Sequence, residues 1–189
     1  RDEILSVHEE AYVDAFKAKS DAGGGEVGQQ APFGPGSFEI AALSAGLAIE
    51  AVDGVLRGDF ANAYALTRPP GHHCLRGQAM GFCLLSNIAI AVEAAIACRG
   101  LKRVAVVDWD VHHGNGTQDI FYERADVLTV SIHGDPSFAY PYFTGFREEH
   151  GRGAGAGCNL NLPLPETITP EKYLEALERA LRRIDEFDP

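Results

Sequence analysis

No apolar run in the sequence reaches the length of a bilayer span, which argues against a helical membrane protein. No basic-then-apolar leader of the secretory kind opens it, and the first residue is Arg1 rather than Met, as in a fragment. Positive charge is short: 16 Lys and Arg stand against 27 Asp and Glu, for a net charge of −11. A nucleic-acid surface needs clustered cations, so none is expected, whereas an acidic field attracts amines or basic peptide tails. The four cysteines, Cys74, Cys83, Cys98 and Cys158, contain no CxxC pair, which leaves neither a zinc knuckle nor a redox couple. Scattered among apolar residues, they fit small buried thiols in a reducing cytoplasm. Repeats and low-complexity tracts are also absent. What remains, 189 residues at 46% hydrophobic, suits one domain or most of one.

Periodicity then divides the chain. Residues 6–19 carry a helical pattern, with His8 read as a surface or helix-start residue, and residues 21–35 form a glycine-rich loop. Ser37 starts a long helix to Leu56, apolar on most sides, expected to lie buried on a sheet and to stop at Gly58. Residues 62–67 (NAYALT) read as a short strand cut off by Arg68-Pro69-Pro70-Gly71, and residues 86–99 as an alanine-rich helix closed by Gly100. Residues 104–107 and 127–132 read as buried strands, with a short helix over 117–122 between them. Residues 136–157 form a long loop whose alternating glycines are not expected to be helical. Residues 170–187 close the chain as an amphipathic helix with Tyr173, Leu174, Leu177, Leu181 and Ile184 inward. Strands alternating with helices imply α/β architecture with a parallel sheet, whose site lies beyond the carboxyl ends of the strands.

Polar residues gather at three expected strand ends: His72-His73, Asp108 to His113, and Ser131 to Asp135. The second cluster, Asp108-Trp109-Asp110-Val111-His112-His113-Gly114-Asn115-Gly116, spends two carboxylates and two imidazoles within six residues. Burying so many ionisable groups beside an apolar strand is costly unless they bind a cation or each other. In an extended segment Asp108, Asp110 and His112 share one side, so Asp110 and His112 could grip one ion. Oxygen plus imidazole suits Zn²⁺, or less often Fe²⁺, Co²⁺ or Mn²⁺. A polar turn with helix-capping acids is the plain alternative. His72 and His73, on a loop stiffened by two prolines, could supply a catalytic base, with a carboxylate such as Asp108 orienting one ring. A capped turn with solvated side chains is the alternative there, and for Phe82 it is a core phenylalanine rather than the wall of a channel.

Three motifs in order, Arg68-Pro69-Pro70-Gly71-His72-His73, Gly81-Phe82-Cys83 and Asp108-Trp109-Asp110-Val111-His112-His113-Gly114-Asn115-Gly116-Thr117, resemble the zinc-dependent histone deacetylase family. The likeness runs on through Ser131-Ile132-His133 to Asn161-Leu162-Pro163-Leu164-Pro165. Asn115 is similar to the class II branch. Residues 132–136 through Tyr140-Pro141, with Glu149 and the alternating glycines, are similar to the acetylpolyamine amidohydrolase-like branch. The resemblance implies a three-layer arginase/deacetylase-type fold with a central parallel sheet. It implies Asp110 and His112 as zinc ligands, His73 as general base and acid, and His72 as its electrostatic partner, paired to Asp108. Gly81, Phe82 and Tyr140 would flank the acyl channel. Structural K⁺ would take Asp108, Ser131 and Ile132 with backbone oxygens of Asp110 and His112, and a second monovalent site would lie near Phe121 and Val127.

The resemblance also sets out departures. In the family a third zinc ligand and a transition-state tyrosine lie on later segments, where this chain closes at Phe187-Asp188-Pro189, so the domain is expected to be incomplete at its C-terminus and inactive as a fragment. The substrate-holding aspartate of some members has no clear counterpart before Phe38. The function implied is zinc-dependent removal of acetyl or related acyl groups from acetylated polyamines or acetyl-lysine, in the cytoplasm and without nucleic acid or membrane, with a homodimer suggested by the polyamine-type relatives. A catalytically inactive acyl-amine binding module is the alternative, followed by a binuclear Mn ureohydrolase on the same fold.

Overall fold

Tyr12, Val13 and Phe16 fall on one side of a helix and are buried, with the Phe16 ring against Phe33 and Phe38. The computed structural model describes residues 1–189, which form two compact units, Arg1–Leu101 and Lys102–Pro189. In the first unit a short helix α1 (Asp2–Leu5) precedes α2 (Glu10–Asp21). The helix expected over residues 6–19 begins only at Glu10, and His8, expected at the surface or at the helix start, lies before it and is buried at 3% exposure. The glycine-rich stretch is a loop pinned by three two-residue strands. Of these β1 (Gly25–Glu26) pairs antiparallel with β3 (Pro32–Phe33), and β2 (Gly28–Gln29) pairs parallel with β4 (Ala79–Met80). The long helix α3 runs Ser37–Leu56 as its pattern predicts, and α4 (Asn87–Arg99) ends on Gly100 at φ +77°, a left-handed cap that glycine adopts without strain.

Two expectations fail in this unit. Helix α3 packs against α4 rather than on a sheet, and leaves Ile40, Leu43 and Leu47 exposed. Residues 62–67 form no strand; Tyr64 and Leu66 are 82% and 85% exposed. Alternating alanine, tyrosine and leucine favour extension, but a strand is stable only with a ladder partner, and none is paired with this segment.

The second unit is a parallel sheet of β5 (Val104–Asp108), β6 (Val127–Gly134) and β7 (Asn159–Leu164), in that order. Its connections are α5 (Asn115–Phe121) and a loop holding one 3₁₀ turn at Gly153–Gly155, a tight turn where no helix was expected. The last helix, α6 (Pro170–Phe187), begins at Thr169, whose side chain accepts from the Lys172 amide at 3.4 Å, with Pro170 in the first turn. Register sorts the side chains into two faces. Leu128, Val130, Ile132 and Leu162 pack against Ala176, Ala180 and Phe187 of α6. Burying each of the large ones contributes roughly 1.5–3 kcal/mol. Of the residues expected inward, Tyr173, Leu177 and Ile184 pack against this core, whereas Leu174 and Leu181 are 56% and 50% exposed; Ala176 and Ala180 are the more deeply buried, because a helix meets a sheet most closely through small side chains.

The opposite face is polar. Val106, Thr129 and Asn159 form one row across the three strands, and Asp108, Ser131 and Asn161 the next. Together with α5, these rows bring the motif residues 108–118 to the carboxyl end of the sheet.

Candidate metal and proton-transfer residues

Strand β5 ends at Asp108, and the chain then bends rather than continuing extended. The Asp110 amide donates to Asp108 Oδ1 at 3.0 Å, and the His112 amide donates to Asp110 Oδ1 at 2.7 Å. Each aspartate thus caps the amide two residues on, in two successive Asx turns. These turns, not the pleat of a strand, bring Asp110 Oδ1 within 3.2 Å of His112 Nδ1. The side chains are about half exposed, 50% and 47%, so the burial cost expected from the sequence does not arise here. The edge of the His112 ring meets Tyr140 at 6.1 Å between centroids, and Tyr140 meets Tyr142 at the same separation, which limits how far the imidazole can swing.

On the neighbouring strand β6, Ser131 lies opposite Asp108 in register. His133 Nε2 lies 2.9 Å from the Gly145 carbonyl, which can only accept, so this nitrogen carries the proton. Nδ1 is then the acceptor, and the Ser131 hydroxyl donates to it at 2.8 Å. Burial holds the His133 imidazole below its ordinary pKa and keeps this neutral tautomer. With its proton given to His133, Ser131 Oγ keeps its lone pairs as an acceptor.

Behind these residues lies a buried network that the sequence reading missed. Gln118 Oε1 accepts from His113 Nε2, Asn159 Nδ2 and Asn161 Nδ2 at 3.0, 2.9 and 2.8 Å. Its Nε2 donates to Glu149 Oε2 at 2.7 Å, and the same oxygen accepts from Thr144 Oγ1 and the Gly145 amide, both at 2.9 Å. One carboxylate oxygen thus fastens the loop over 144–149 to α5. The signal was in the sequence: Thr129, Ser131 and His133, then Asn159 and Asn161, alternate with apolar residues, the mark of a strand with one polar face.

The first unit holds His72, half-buried, and His73, buried, with ring centroids 4.0 Å apart and planes tilted by 38°. The His73 amide donates to Cys83 Sγ at 3.4 Å. They sit on a turn after Arg68-Pro69, not at a strand end. Gly81 and Phe82 follow β4, both in left-handed backbone at φ +52° and +65°, and the Phe82 ring is 68% exposed rather than part of a core. Of the expected residues, then, Asp108, Asp110, His112, Ser131, Ile132 and Tyr140 belong to the second unit, and His72, His73, Gly81 and Phe82 to the first. The thiols divide: Cys74 and Cys83 are buried as expected, Cys158 is half-buried and Cys98 is exposed.

As a donor set, the carboxylate and imidazole nitrogen of Asp110 and His112 fit two positions of a zinc-like ion. No group of three or more His, Cys, Asp or Glu side chains is arranged to hold a metal.

Comparison with known proteins agrees with this arrangement of motifs. The chain is 61% identical over 155 residues to a histone deacetylase-like amidohydrolase of Pseudomonas aeruginosa, covering 80% of this chain and 40% of that protein. It is 44% identical over 153 residues to an acetylpolyamine amidohydrolase of Mycoplana ramosa, covering 81% and 44%. The crystal structure of an acetylpolyamine aminohydrolase from Burkholderia pseudomallei superposes with a TM-score of 0.90 at 36% identity, over all of this chain and 63% of that one. The chain therefore spans less than half the length of these two sequence relatives. The fold is that of the deacetylase and acetylpolyamine aminohydrolase structures, and since residues 1–189 match the histone deacetylase domain throughout, the chain belongs to that family.

Proposed function

We propose that the protein is a zinc-dependent amidohydrolase that removes acetyl, or related acyl, groups from amines, with acetylated polyamines as its substrate class. The observation that carries the reading is the approach of Asp110 Oδ1 to His112 Nδ1, 3.2 Å apart at the carboxyl edge of a parallel sheet. Relatives named as acetylpolyamine amidohydrolases support the substrate class. The net charge of −11 suits a cationic amine.

Zinc, when bound, would supply Lewis-acid polarisation of the amide carbonyl and a water acidic enough to ionise near neutral pH. Asp110 and His112 would hold it. Asp108 fixes the loop that carries both by accepting the Asp110 amide. Asp108, the Ser131 oxygen and the Ile132 carbonyl would hold a structural potassium ion. From the first unit, His73 would take a proton and return it to the leaving amine, with His72 as its electrostatic partner. Gly81, Phe82 and Tyr140 would line the passage for the acyl chain.

The test is release of free amine from an acetylated polyamine and from an acetyl-lysine peptide by a full-length form of the protein after loading with zinc, the 189-residue chain being expected to release none. Expected are release from the polyamine in preference to the peptide, its loss on chelation and recovery on adding zinc back. His112→Ala should abolish it, and His73→Ala should lower kcat far more than it changes KM. Binding of the acetylated polyamine by calorimetry with no amine released would overturn the reading in favour of an acyl-amine binding module.

A further inference from the structure

Residues 72–86 carry His72, His73, Gly81 and Phe82, yet their regular structure amounts to the two-residue strand β4. Such a segment keeps its shape through bonds from elsewhere, because its buried backbone groups need partners. Those partners come from residues 7–12, which run from the turn after α1 into the first turn of α2. Ahead of β4, the Arg76 carbonyl accepts from the Glu9 amide at 3.0 Å and from His8 Nδ1 at 3.1 Å, and the Arg76 guanidinium donates to the Val7 carbonyl at 3.0 Å. Beyond β4, His8 Nε2 accepts from the Ser86 amide at 2.9 Å, and the Tyr12 hydroxyl donates to the Leu84 carbonyl at 2.6 Å. The same hydroxyl lies 3.6 Å from Cys74 Sγ, next in sequence to His73.

One imidazole and one phenol thus fasten the segment on both sides of β4. His8, Tyr12, Leu84 and Ser86 are all buried, so bulk water does not replace a bond lost among them. From these fixed points the path to His73 is short. Cys83, next to Leu84, accepts from the His73 amide through Sγ at 3.4 Å. On the other flank Gly71 admits no side chain: a Cβ built there would lie 2.5 Å from the Asn87 amide nitrogen, at the start of the helix whose N-cap is Ser86. The backbone that His8 and Tyr12 hold therefore borders the histidine pair before and after.

We propose that His8 and Tyr12 are positioning residues for His72 and His73. Neither acts on the reacting atoms; each acts through the backbone it holds. The bearing on catalysis rests on the amidohydrolase reading, whereas the placement of the two imidazoles does not. Proton transfer needs a group within hydrogen-bond reach, and a displacement of about 1 Å lowers the rate on the order of 10²-fold. Loss of either fastening is therefore expected to act on turnover rather than on substrate binding.

The test compares Tyr12→Phe, His8→Leu, His8→Gln and Ala91→Gly. Tyr12→Phe deletes one hydroxyl and keeps the ring, and His8→Gln keeps a donor and an acceptor. Ala91→Gly loosens α4 from within and controls for lost stability alone. In the 189-residue chain, the ring nitrogen NMR signals of His72 and His73 should move in Tyr12→Phe and His8→Leu, return toward the parent in His8→Gln and stay in place in Ala91→Gly. In a full-length, zinc-loaded form, Tyr12→Phe and His8→Leu should lower kcat by about ten- to a hundredfold with KM changed less than about twofold, and Ala91→Gly should change neither. Unmoved His72 and His73 signals in Tyr12→Phe and His8→Leu overturn the proposal, as does an equal loss of kcat in Ala91→Gly. If His8→Leu does not fold, Tyr12→Phe decides. An unaltered full-length form that releases no amine sinks the amidohydrolase reading alone, and the NMR signals still decide the positioning.

Discussion

His8 accepts a hydrogen bond through Nε2 from the Ser86 amide at 2.9 Å, across 78 residues of chain. Its other nitrogen, Nδ1, lies 3.1 Å from the Arg76 carbonyl, which can only accept, so Nδ1 bears the proton and the ring is a neutral clamp. Protonating Nε2 would set it against the amide it now receives. Burial, the largest cause, lowers the imidazole pKa from 6.5 to about 4.

The sign of the resulting pH dependence follows. Between about 6.5 and about 4 the unfolded chain binds a proton at His8 that the folded chain refuses, so stability rises with pH through that window. His8 therefore contributes fully above its unfolded value and loses its contribution as pH falls toward 4, by about 3 kcal/mol at most. Urea unfolding at several pH values across this range should show the slope, and His8→Leu should flatten it while costing stability at neutral pH. An unchanged slope in the variant would show that other groups carry it.

Glu149 is the acceptor on which the loop over 144–149 depends. One of its oxygens receives Gln118 Nε2, Thr144 Oγ1 and the Gly145 amide, and Asn161 Nδ2 approaches it at 3.2 Å. Glu149→Ala leaves these donors without that partner, and each buried donor so stranded costs roughly 1–3 kcal/mol before relaxation. Because Glu149 is only half-buried, water can replace part of the loss, and a net destabilisation of about 2 kcal/mol is expected. Glu148, exposed one residue earlier, is the control: Glu148→Ala should change the denaturation midpoint little.

Gly145 occupies the narrow point between two histidines. A Cβ there would lie 2.8 Å from His113 Cγ and from His133 Nε2, and the backbone has φ +102°, which side chains rarely adopt. Both rings are fully buried and pack at 4.6 Å between centroids, tilted by 52°, so neither can give way freely. Gly145→Ala should cost about 1–3 kcal/mol from crowding, with roughly 1–2 more from the left-handed backbone. It should also shift the His133 ring resonances in NMR, since the Gly145 carbonyl holds Nε2. A variant as stable as the parent with unmoved His133 signals would contradict this account.

Much of this architecture was legible because local rules and tertiary packing agree. Glycine after α4 and proline after Thr169 mark helix ends by backbone geometry alone. The Asp108–Asn115 motif announced its residues, but not how they meet, since Asx turns and an extended strand can both follow the same i, i+2 spacing. Residues 62–67 misled for the opposite reason: strand propensity is local, whereas a strand exists only with a neighbour. Strand β7 escaped notice because Asn159 and Asn161 are poor strand formers, and Pro163 weakens the pattern further; their place in the sheet is won by bonds to Gln118, 41 and 43 residues away in sequence. His8 likewise showed only as one imidazole near a helix start, because Arg76 and Ser86 are distant in the chain.

Helix α6 offers the sharpest contrast between pattern and packing. A helical wheel drawn on leucines turns Leu174 and Leu181 inward with Leu177, whereas the sheet core is met by Ala176, Ala180 and Phe187, with Tyr173, Leu177 and Ile184 packed beside them. Ala180 has no exposed surface and belongs to one buried cluster with the large side chains of Leu128, Val130, Ile132 and Leu162. Ala180→Leu inserts three heavy atoms where the helix lies close to the strands and should cost about 1–3 kcal/mol, or push the helix outward. Leu181→Ala, at 50% exposure, creates no closed cavity and should cost less than about 1 kcal/mol. Leu162→Ala, on the strand beneath, should cost roughly 2–5 kcal/mol because the void it leaves is walled by β6 and α6. A urea midpoint for Leu162→Ala below that for Leu181→Ala tests whether Leu181 lies outside the core; the reverse order would make Leu181 a core residue.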